Sequence, residues 1–176
     1  RILARFPPVY GSMYFTLADF TGDGRPDILY VNGDNFDYSR IAKPYHGVRI
    51  LENDGNNNFH ERYFFPIYGA ARAEVADFDG DGDLDILATS NFAGAANAPD
   101  QGIVYLENTG RLTFQPYEFT AAALNQWNLM AIADLDRDGL PDVLIGAMNL
   151  ESVAGIQQGF GQRSAEQGAP LLVLQN

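Results

Sequence analysis

The sequence contains no cysteine, and this absence excludes several classes of protein. Without thiols the chain has no disulfide framework, no thiolate zinc site, no thiol nucleophile and no covalently attached c-type haem. Basic residues are also scarce, because 11 Lys and Arg stand against 23 Asp and Glu among 176 residues, for a net charge of −12. This surplus of acid argues against nucleic-acid binding, which requires a face rich in Lys and Arg.

Long apolar runs and helical periodicity are missing as well. No run approaches the roughly 18 apolar residues of a membrane span, and no stretch keeps a helical period, so we expect no long helix. Neither a signal-peptide pattern nor an initiator Met is present, so we expect a processed protein or a piece of a longer one. The hydrophobic fraction of 46% predicts a folded chain rather than a disordered one.

Acidic residues are abundant, and many of them lie in three windows of nine residues at 19–27, 77–85 and 134–142. These windows contain three, five and four Asp, which is 12 of the 23 acidic residues. Their first residues, 19, 77 and 134, are 58 and then 57 positions apart. Self-similarity at such a period indicates a repeat architecture, in which each unit buries its apolar faces against its neighbours.

Short segments rich in β-branched and aromatic residues surround each window, bounded by Gly, Asn, Asp or Pro, which predicts strands. We predict strand A at 15–18, 73–76 and 130–133, strand B at 28–31, 86–88 and 143–145, strand C at 47–53, 102–108 and 170–176, and strand D at 59–65 and 114–119. Four strands in each repeat are typical of a propeller blade. The sequence therefore predicts an all-β propeller.

The chain begins out of phase with this repeat. Within a single propeller region spanning 1–176, we predict an orphan outer strand and loop at 1–12, blade one at 13–71, blade two at 72–127, and blade three, lacking its outer strand, at 128–176. Propellers usually have about 4–8 blades. Three blades therefore favour a segment of a larger propeller. The alternative is a six-bladed ring of two copies, each completing the other's third blade with its first six residues.

The acidic windows have the residue pattern of calcium loops. Calcium takes about 6–8 oxygen ligands, and side chains at positions 1, 3, 5 and 9 with the carbonyl at position 7 can converge because a Gly at position 6 permits a sharp bend. Position 3 of the first loop is a neutral Thr, so we expect that site to be the weakest. The predicted ligands are Asp19, Thr21, Asp23, Arg25 and Asp27 in the first loop, Asp77, Asp79, Asp81, Asp83 and Asp85 in the second, and Asp134, Asp136, Asp138, Leu140 and Asp142 in the third.

Two other interpretations fit the loops less well. An EF-hand requires a Glu at position 12, where this chain has Tyr30, Ala88 and Ile145. Runs of Asp and Gly also form ordinary turns. However, a turn needs only one or two Asp, whereas five carboxylates in nine residues repel one another without a cation. The pattern therefore favours metal loops within β-hairpins.

The second acidic window and the strand C that follows it resemble a known family. The motif Ala-Asp-Phe-Asp-Gly-Asp-Gly-Asp-Leu-Asp-Ile-Leu at 76–87, with the later Leu-Glu-Asn at 106–108, is similar to the FG-GAP/VCBS repeats of integrin α-subunits and secreted bacterial proteins. The resemblance implies a propeller with calcium in the A–B hairpin of each blade. The Phe-Gly and Gly-Ala-Pro signatures are poorly kept, which places the chain closer to the bacterial VCBS type. A fold of this kind serves several functions.

The order of the strands places the acidic loops at one end of the blades and the B–C and D–A loops at the other. Aromatic and polar side chains on loops over a rigid scaffold suit recognition of a protein or a glycan. The candidate ligand residues are Tyr10, Asp34, Asp37, Tyr38, Arg40, Tyr45, His46, Tyr68 and Trp127. Two alternatives are that the aromatic residues of the D–A loops pack between blades, and that His46 anchors its loop instead of binding a ligand.

Signals for catalysis are weak, since the chain lacks a Gly-x-Ser-x-Gly motif, a phosphate-binding loop, a dinucleotide fingerprint and a His-pair metal motif. We therefore predict no enzyme, but a calcium-binding scaffold for protein or glycan binding in a secreted, periplasmic or cell-surface protein. The alternatives are an accessory domain of a larger secreted enzyme or redox protein, and a glycan hydrolase or lyase using Asp34, Asp37 and His46. Three bound Ca²⁺ would change the net charge from −12 to −6, since they add six positive charges.

Overall fold

The computed structural model describes residues 1–33, 42–56, 58–91, 101–119, 126–147 and 171–176. In these ranges the chain forms eleven β-strands and one 3₁₀ turn, Pro8–Tyr10, and no α-helix. The prediction of an all-β protein is confirmed. None of the described segments contains a helix that is long and apolar enough to cross a membrane.

The strands form three antiparallel sheets in which neighbours along the chain are neighbours in space. The first sheet contains β1 (Tyr14–Ala18), β2 (Asp27–Asn32), β3 (Gly47–Asn53) and β4 (Phe59–Pro66). The second contains β5 (Ala70–Ala76), β6 (Asp85–Ser90), β7 (Ile103–Asn108) and β8 (Phe114–Glu118). The third contains β9 (Trp127–Ala133), β10 (Asp142–Ala147) and β11 (Leu171–Leu174). This order is that of propeller blades, with strands A to D in sequence.

The first two strands of each sheet form a hairpin with the same closing pair. Ala18 pairs with Asp27 in the first sheet, and Ala76 pairs with Asp85 in the second. The third hairpin repeats this register with Ala133 opposite Asp142. Each acidic loop therefore lies in a β-hairpin and ends on an Asp that belongs to strand B.

The core consists of two layers of buried side chains between successive sheets. On β6 the side chains alternate, because Ile86 and Ala88 belong to the layer shared with the first sheet, whereas Leu87 belongs to the layer shared with the third. This alternation is the period of two expected of a strand. The second sheet is therefore buried on both faces, as a blade within a stack is.

The outward faces of the first and third sheets carry exposed apolar side chains. Phe15 is 63% exposed, although Ala73, which is 58 positions later in the repeat, is fully buried between sheets. Leu171, five positions before Asn176, is 68% exposed, whereas Ile103, five positions before Asn108, is fully buried. The three sheets thus form an open stack of blades rather than a closed ring.

Residues 1–6 do not form the predicted outer strand. A strand needs a neighbouring strand for its backbone hydrogen bonds, and this segment instead contacts the first sheet through side chains. Arg1 Nη2 donates to Asn58 Oδ1 at 2.8 Å, and the Phe6 ring stacks on Tyr30 with 5.3 Å between the ring centres. The segment lies against the first sheet without extending it.

Candidate metal centres in the acidic loops

All three acidic loops share a sharp bend at position 6. The Gly at this position has a positive φ of 81°, 97° and 94° in the three loops, a conformation that glycine adopts at little cost. In every loop the N–H of this Gly donates to a carboxylate oxygen of the Asp at position 1, at 2.7, 3.1 and 3.1 Å. The bend therefore folds the loop back over its first carboxylate. The glycines are Gly24, Gly82 and Gly139.

The Asp at position 9 is buried in every loop and joins the loop to strand C. One carboxylate oxygen accepts the N–H of position 2 at 3.1, 3.0 and 2.8 Å. The other accepts the main-chain N–H of the Asn that follows or ends strand C, at 2.8, 2.8 and 3.1 Å. These pairs are Asp27 with Asn53, Asp85 with Asn108, and Asp142 with Asn176.

The side chain of this Asn makes further contacts in the first two blades. Asn108 Nδ2 donates to the carbonyl oxygen of Leu84 at 3.2 Å, and its Oδ1 accepts the N–H of Gly110 at 3.2 Å. Asn53 makes the equivalent contacts in the first blade. The Asn thus joins position 8 of the acidic loop to the C–D turn. This role of the Asn was not predicted, although the same Asn recurs at the end of each predicted strand C and could have indicated it.

The second loop brings three carboxylates together. Asp77, Asp79 and Asp85 each offer an oxygen, and these oxygens lie within 4.8 Å of one another. Of the other predicted ligands, Asp81 Oδ1 accepts the N–H of Asp83 at 2.8 Å, and neither residue belongs to this group. The donor set consists of oxygen alone, which suits a hard cation such as calcium.

The third loop brings together a different set of three. Asp134, Asp136 and Asp138 have carboxylate oxygens within 4.8 Å of one another, and all three residues are exposed. The predicted ligand Asp142 is not among them, and Leu140 contributes a main-chain N–H, which donates to Asp138 Oδ1 at 2.8 Å. The carboxylates that converge are thus at positions 1, 3 and 5, three of the four side-chain positions in the calcium-loop pattern.

The first loop contains no such group in the part of the chain that the structure describes. Its Asp23 carboxylate forms an ion pair with the guanidinium of Arg25, whose Nε also donates to the carbonyl oxygen of Asn53 at 3.1 Å. At position 3 the Thr21 hydroxyl donates to Asp19 Oδ1 at 3.4 Å. The Arg25 guanidinium and the neutral Thr21 therefore occupy positions 7 and 3 of this loop, and the expected weakness of its calcium site stays a prediction.

Burial and hydrogen bonds shift the pKa of these carboxyl groups in opposite directions. Burial raises the pKa of Asp27 and of Asp85, although main-chain N–H donors to both carboxylates act against it. The N–H of Gly24 lowers the pKa of Asp19. A charge that is buried needs compensating partners, and the Asp85 carboxylate accepts hydrogen bonds from the N–H groups of Phe78 and Asn108 and from the Tyr105 hydroxyl.

On the opposite end of the blades, two predicted ligand residues form a stack. The rings of Tyr10 and Tyr45 are 4.6 Å apart between centres and 9° from parallel, and both residues are half-buried. The Arg49 guanidinium lies 5.4 Å from the centre of the Tyr10 ring. Tyr68 is also half-buried, and its carbonyl accepts the Ser90 hydroxyl. The predicted ligand residues Asp34, Asp37, Tyr38 and Arg40 lie outside the described residues.

Two residues of the predicted ligand face are buried. Trp127 is 2% exposed and belongs to the layer between the second and third sheets, so its place on the ligand face is corrected to an interblade position. The reason is that strand A begins at Trp127 itself, which turns the indole into the core. His46 is fully buried, its ring meets Tyr45 edge-on at 5.3 Å, and its main-chain N–H donates to the Lys43 carbonyl at 3.0 Å. This environment agrees with a loop anchor.

Comparison with known protein families gives two overlapping matches. Residues 31–88 match the model of the FG-GAP-like repeat, and residues 71–106 match that of the FG-GAP repeat. Both matches include the second acidic loop and the strands on either side of it. No curated protein matches the chain.

Proposed function

We propose that the chain is a calcium-stabilised propeller scaffold of a secreted or cell-surface protein, because residues 31–88 and 71–106 match the models of FG-GAP repeats, a β-propeller module. The observation that supports calcium binding is the convergence of Asp77, Asp79 and Asp85 within 4.8 Å. The same proposal covers the third loop, where three further carboxylates converge. Like charges at this distance are unfavourable unless a cation compensates them.

The donor chemistry favours calcium over the other common cations. The loops offer carboxylate and carbonyl oxygens and no sulfur or imidazole, which zinc prefers. Magnesium keeps several waters and demands a strict octahedron, whereas calcium accepts 6–8 oxygens in a flexible arrangement. In the second loop Asp81 and the carbonyl of Asp83 are available to complete such a set beside the three converging carboxylates. The bound ion would supply positive charge to the loop.

The chain's own residues orient the ligands. The N–H groups of Phe78 and Asn108 hold the two oxygens of Asp85, and the N–H of Gly82 holds Asp77. An ion that binds only the folded loop adds to stability, by about 2.7 kcal/mol at a concentration 100 times its Kd. Calcium sites of extracellular modules have Kd values of about 10⁻⁴–10⁻³ M. This range suits the calcium concentration outside cells.

We further propose that the end of the blades opposite the acidic loops binds a protein or a glycan, and that the role is binding rather than catalysis. Support comes from the Tyr10–Tyr45 stack with Arg49 beside it, since Tyr and Arg are enriched at the energetic centres of interfaces. A glycan array tests this proposal with the purified chain. Tyr45→Ala should abolish binding, whereas Tyr117→Ala on β8 should not, and equal binding by both variants would contradict it.

Calcium binding itself is tested by isothermal titration. The wild-type chain should bind Ca²⁺ at two sites at least, and Asp79→Asn should remove one of them by neutralising a converging carboxylate. Glu118→Gln is the matched control, because Glu118 is an exposed acid on β8 outside the acidic loops. Absence of binding heat in the wild type, or equal losses in both variants, would overturn the proposal.

A further inference from the structure

A tyrosine hydroxyl contacts the second acidic loop. Tyr105 on β7 donates a hydrogen bond of 2.9 Å to Asp85 Oδ2, the buried carboxylate that converges with Asp77 and Asp79. Tyr105 is half-buried, and a tyrosine hydroxyl that is withdrawn from water needs a partner, which here is a residue of the candidate metal centre. The contact therefore joins the sheet to the loop through a side chain.

The other two blades have no equivalent donor. Tyr105 precedes Asn108 by three positions, and the residues three positions before the corresponding Asn are Ile50 and Val173. Both are aliphatic, so neither can donate to the Asp at position 9 of its own loop. The phenol contact thus distinguishes the second loop within a repeat that is otherwise regular.

The ring of Tyr105 lies at the junction with the third sheet. It meets the Phe78 ring edge-on at 5.9 Å and stacks on Tyr117 at 5.9 Å. Both Phe78 and Tyr105 pack against the buried layer that includes Met130 and Ile145 of the third sheet. One side chain therefore contacts both the acidic loop and the surface on which the next blade packs.

We propose that Tyr105 is a positioning residue for the cation at the second loop and that it couples cation binding there to the packing of the third blade. The inference rests on the proposed calcium-binding function. Three donors, the N–H groups of Phe78 and Asn108 and the hydroxyl of Tyr105, fix the orientation of the Asp85 carboxylate. Outer-shell donors of this kind typically contribute about 10–100-fold to metal affinity.

The coupling acts in both directions. A cation that fixes Asp85 also fixes the hydroxyl bonded to it, and hence the ring that packs against the buried layer to which Met130 and Ile145 belong. By thermodynamic linkage, packing of the third blade must favour cation binding by the same factor. The first loop has no such connection through its position 9, because Ile50 stands at the equivalent place.

The test is a titration of the whole chain with Ca²⁺ in matched variants. Tyr105→Phe keeps the ring and removes the hydroxyl, and it should weaken one calcium site by roughly tenfold while leaving the others unchanged. Tyr117→Phe is the control, because Tyr117 stacks on Tyr105 without contacting Asp85. Tyr105→Ile, which copies the first blade, serves as a second variant if the phenylalanine variant does not fold.

A spectroscopic measurement separates positioning from a merely structural role. Calcium should change the near-ultraviolet circular dichroism of tyrosine in the wild type and in Tyr117→Phe, and this change should be lost in Tyr105→Phe. For the coupling, Ile145→Val should weaken calcium binding at the same site by a few-fold in the wild type but not in the Tyr105→Phe background. Additive effects of the two substitutions would overturn the coupling.

The two proposals fail in different ways. If the wild type binds no Ca²⁺, both the proposed function and the role of Tyr105 are overturned. If the wild type binds Ca²⁺ and the two Tyr105 variants keep the affinity of every site and the tyrosine signal, only the role of Tyr105 is overturned.

Discussion

The guanidinium of Arg25 pairs with the carboxylate of Asp23 inside the first acidic loop. These residues stand at positions 7 and 5 of the loop, so a side-chain cation neutralises one of the carboxylates that the metal pattern provides. In the third loop the equivalent residues are Leu140 and Asp138, and the Asp138 carboxylate converges with two others. The repeat therefore has loops that differ in their need for an external cation.

Adding a carboxylate to the first loop should strengthen calcium binding there. Thr21→Asp places at position 3 the residue that converges in the second and third loops, and we expect a tighter or additional site in isothermal titration. Thr21→Asn is the control, because it has a similar shape without the charge. Equal titrations for the two variants would show that charge at position 3 does not limit this loop.

Relieving backbone strain in the third loop should stabilise the fold. Arg137 stands at position 4 with a φ of 68°, where the other loops have Gly22 and Gly80 with φ of 71° and 79°. The left-handed conformation costs a non-glycine residue about 1–2 kcal/mol. Arg137→Gly should therefore raise the free energy of unfolding in urea by up to about 1 kcal/mol, the remainder being offset by the greater freedom of glycine in the unfolded chain.

The reverse substitution is the control. Gly80→Arg should lower the free energy of unfolding by about 1 kcal/mol. A Cβ at Gly80 has nothing within 4 Å, so the expected loss comes from the backbone conformation rather than from a clash. A loss of stability in Arg137→Gly would contradict this account of position 4.

The buried position of Trp127 predicts a large cost for its truncation. Trp127→Ala should lower the free energy of unfolding by about 3–5 kcal/mol, the range for removing a large aromatic side chain from a core. Leu129→Ala, two positions along the same strand, should change it by less than about 0.5 kcal/mol, because Leu129 is 65% exposed. Urea denaturation measures both, and similar costs for the two variants would be inconsistent with the burial of Trp127.

The Asp54 carboxylate predicts a dependence of stability on pH. Hydrogen bonds from the Asn58 side chain and the Asn56 N–H lower the pKa of Asp54 to about 2, from about 3.9 in an unfolded chain. A lowered pKa contributes stability that is present above about pH 4 and is lost as the pH falls through about 2. Asp54→Asn should therefore have a lower Tm than the wild type at pH 7.

The difference between the two proteins should shrink as the pH is lowered from 4 towards 2, because the wild type then protonates Asp54. Thermal melts at several pH values measure this, with Glu118→Gln as the control for removing an exposed acid. A difference in Tm that is the same at pH 7 and pH 3 would argue against a stabilising carboxylate at Asp54.

The local parts of the fold could be predicted from the sequence. Strand C of the first sheet has the predicted bounds, Gly47–Asn53, because Gly and Asn punctuate a run of β-branched and aliphatic residues. The acidic hairpins followed from a pattern complete within nine residues. In the third loop the converging carboxylates at positions 1, 3 and 5 are local, although Gln175, which follows β11, also donates to Asp136 Oδ2 at 2.5 Å.

The parts that depend on contacts between blades could not be predicted in the same way. Trp127 looked like a loop residue because nothing near it in the sequence indicates that the indole packs on the second sheet. Residues 1–6 have the composition of a strand, but a strand forms only beside a partner. The hydrogen bond from Tyr105 to Asp85 joins residues 20 positions apart, and no local pattern signals it.

Thermal unfolding with and without calcium tests the central claim most directly. A site with a Kd of about 10⁻⁴ M adds about 1.4 kcal/mol in 1 mM Ca²⁺, roughly ten times that Kd, which corresponds to a rise in Tm of roughly 3–6 °C for a chain of this size. We predict such a rise in millimolar Ca²⁺, its reversal by a chelator, and a much smaller rise in the Asp79→Asn, Asp136→Asn double variant. The same Tm in calcium and in chelator would contradict the claim that the acidic loops are calcium sites.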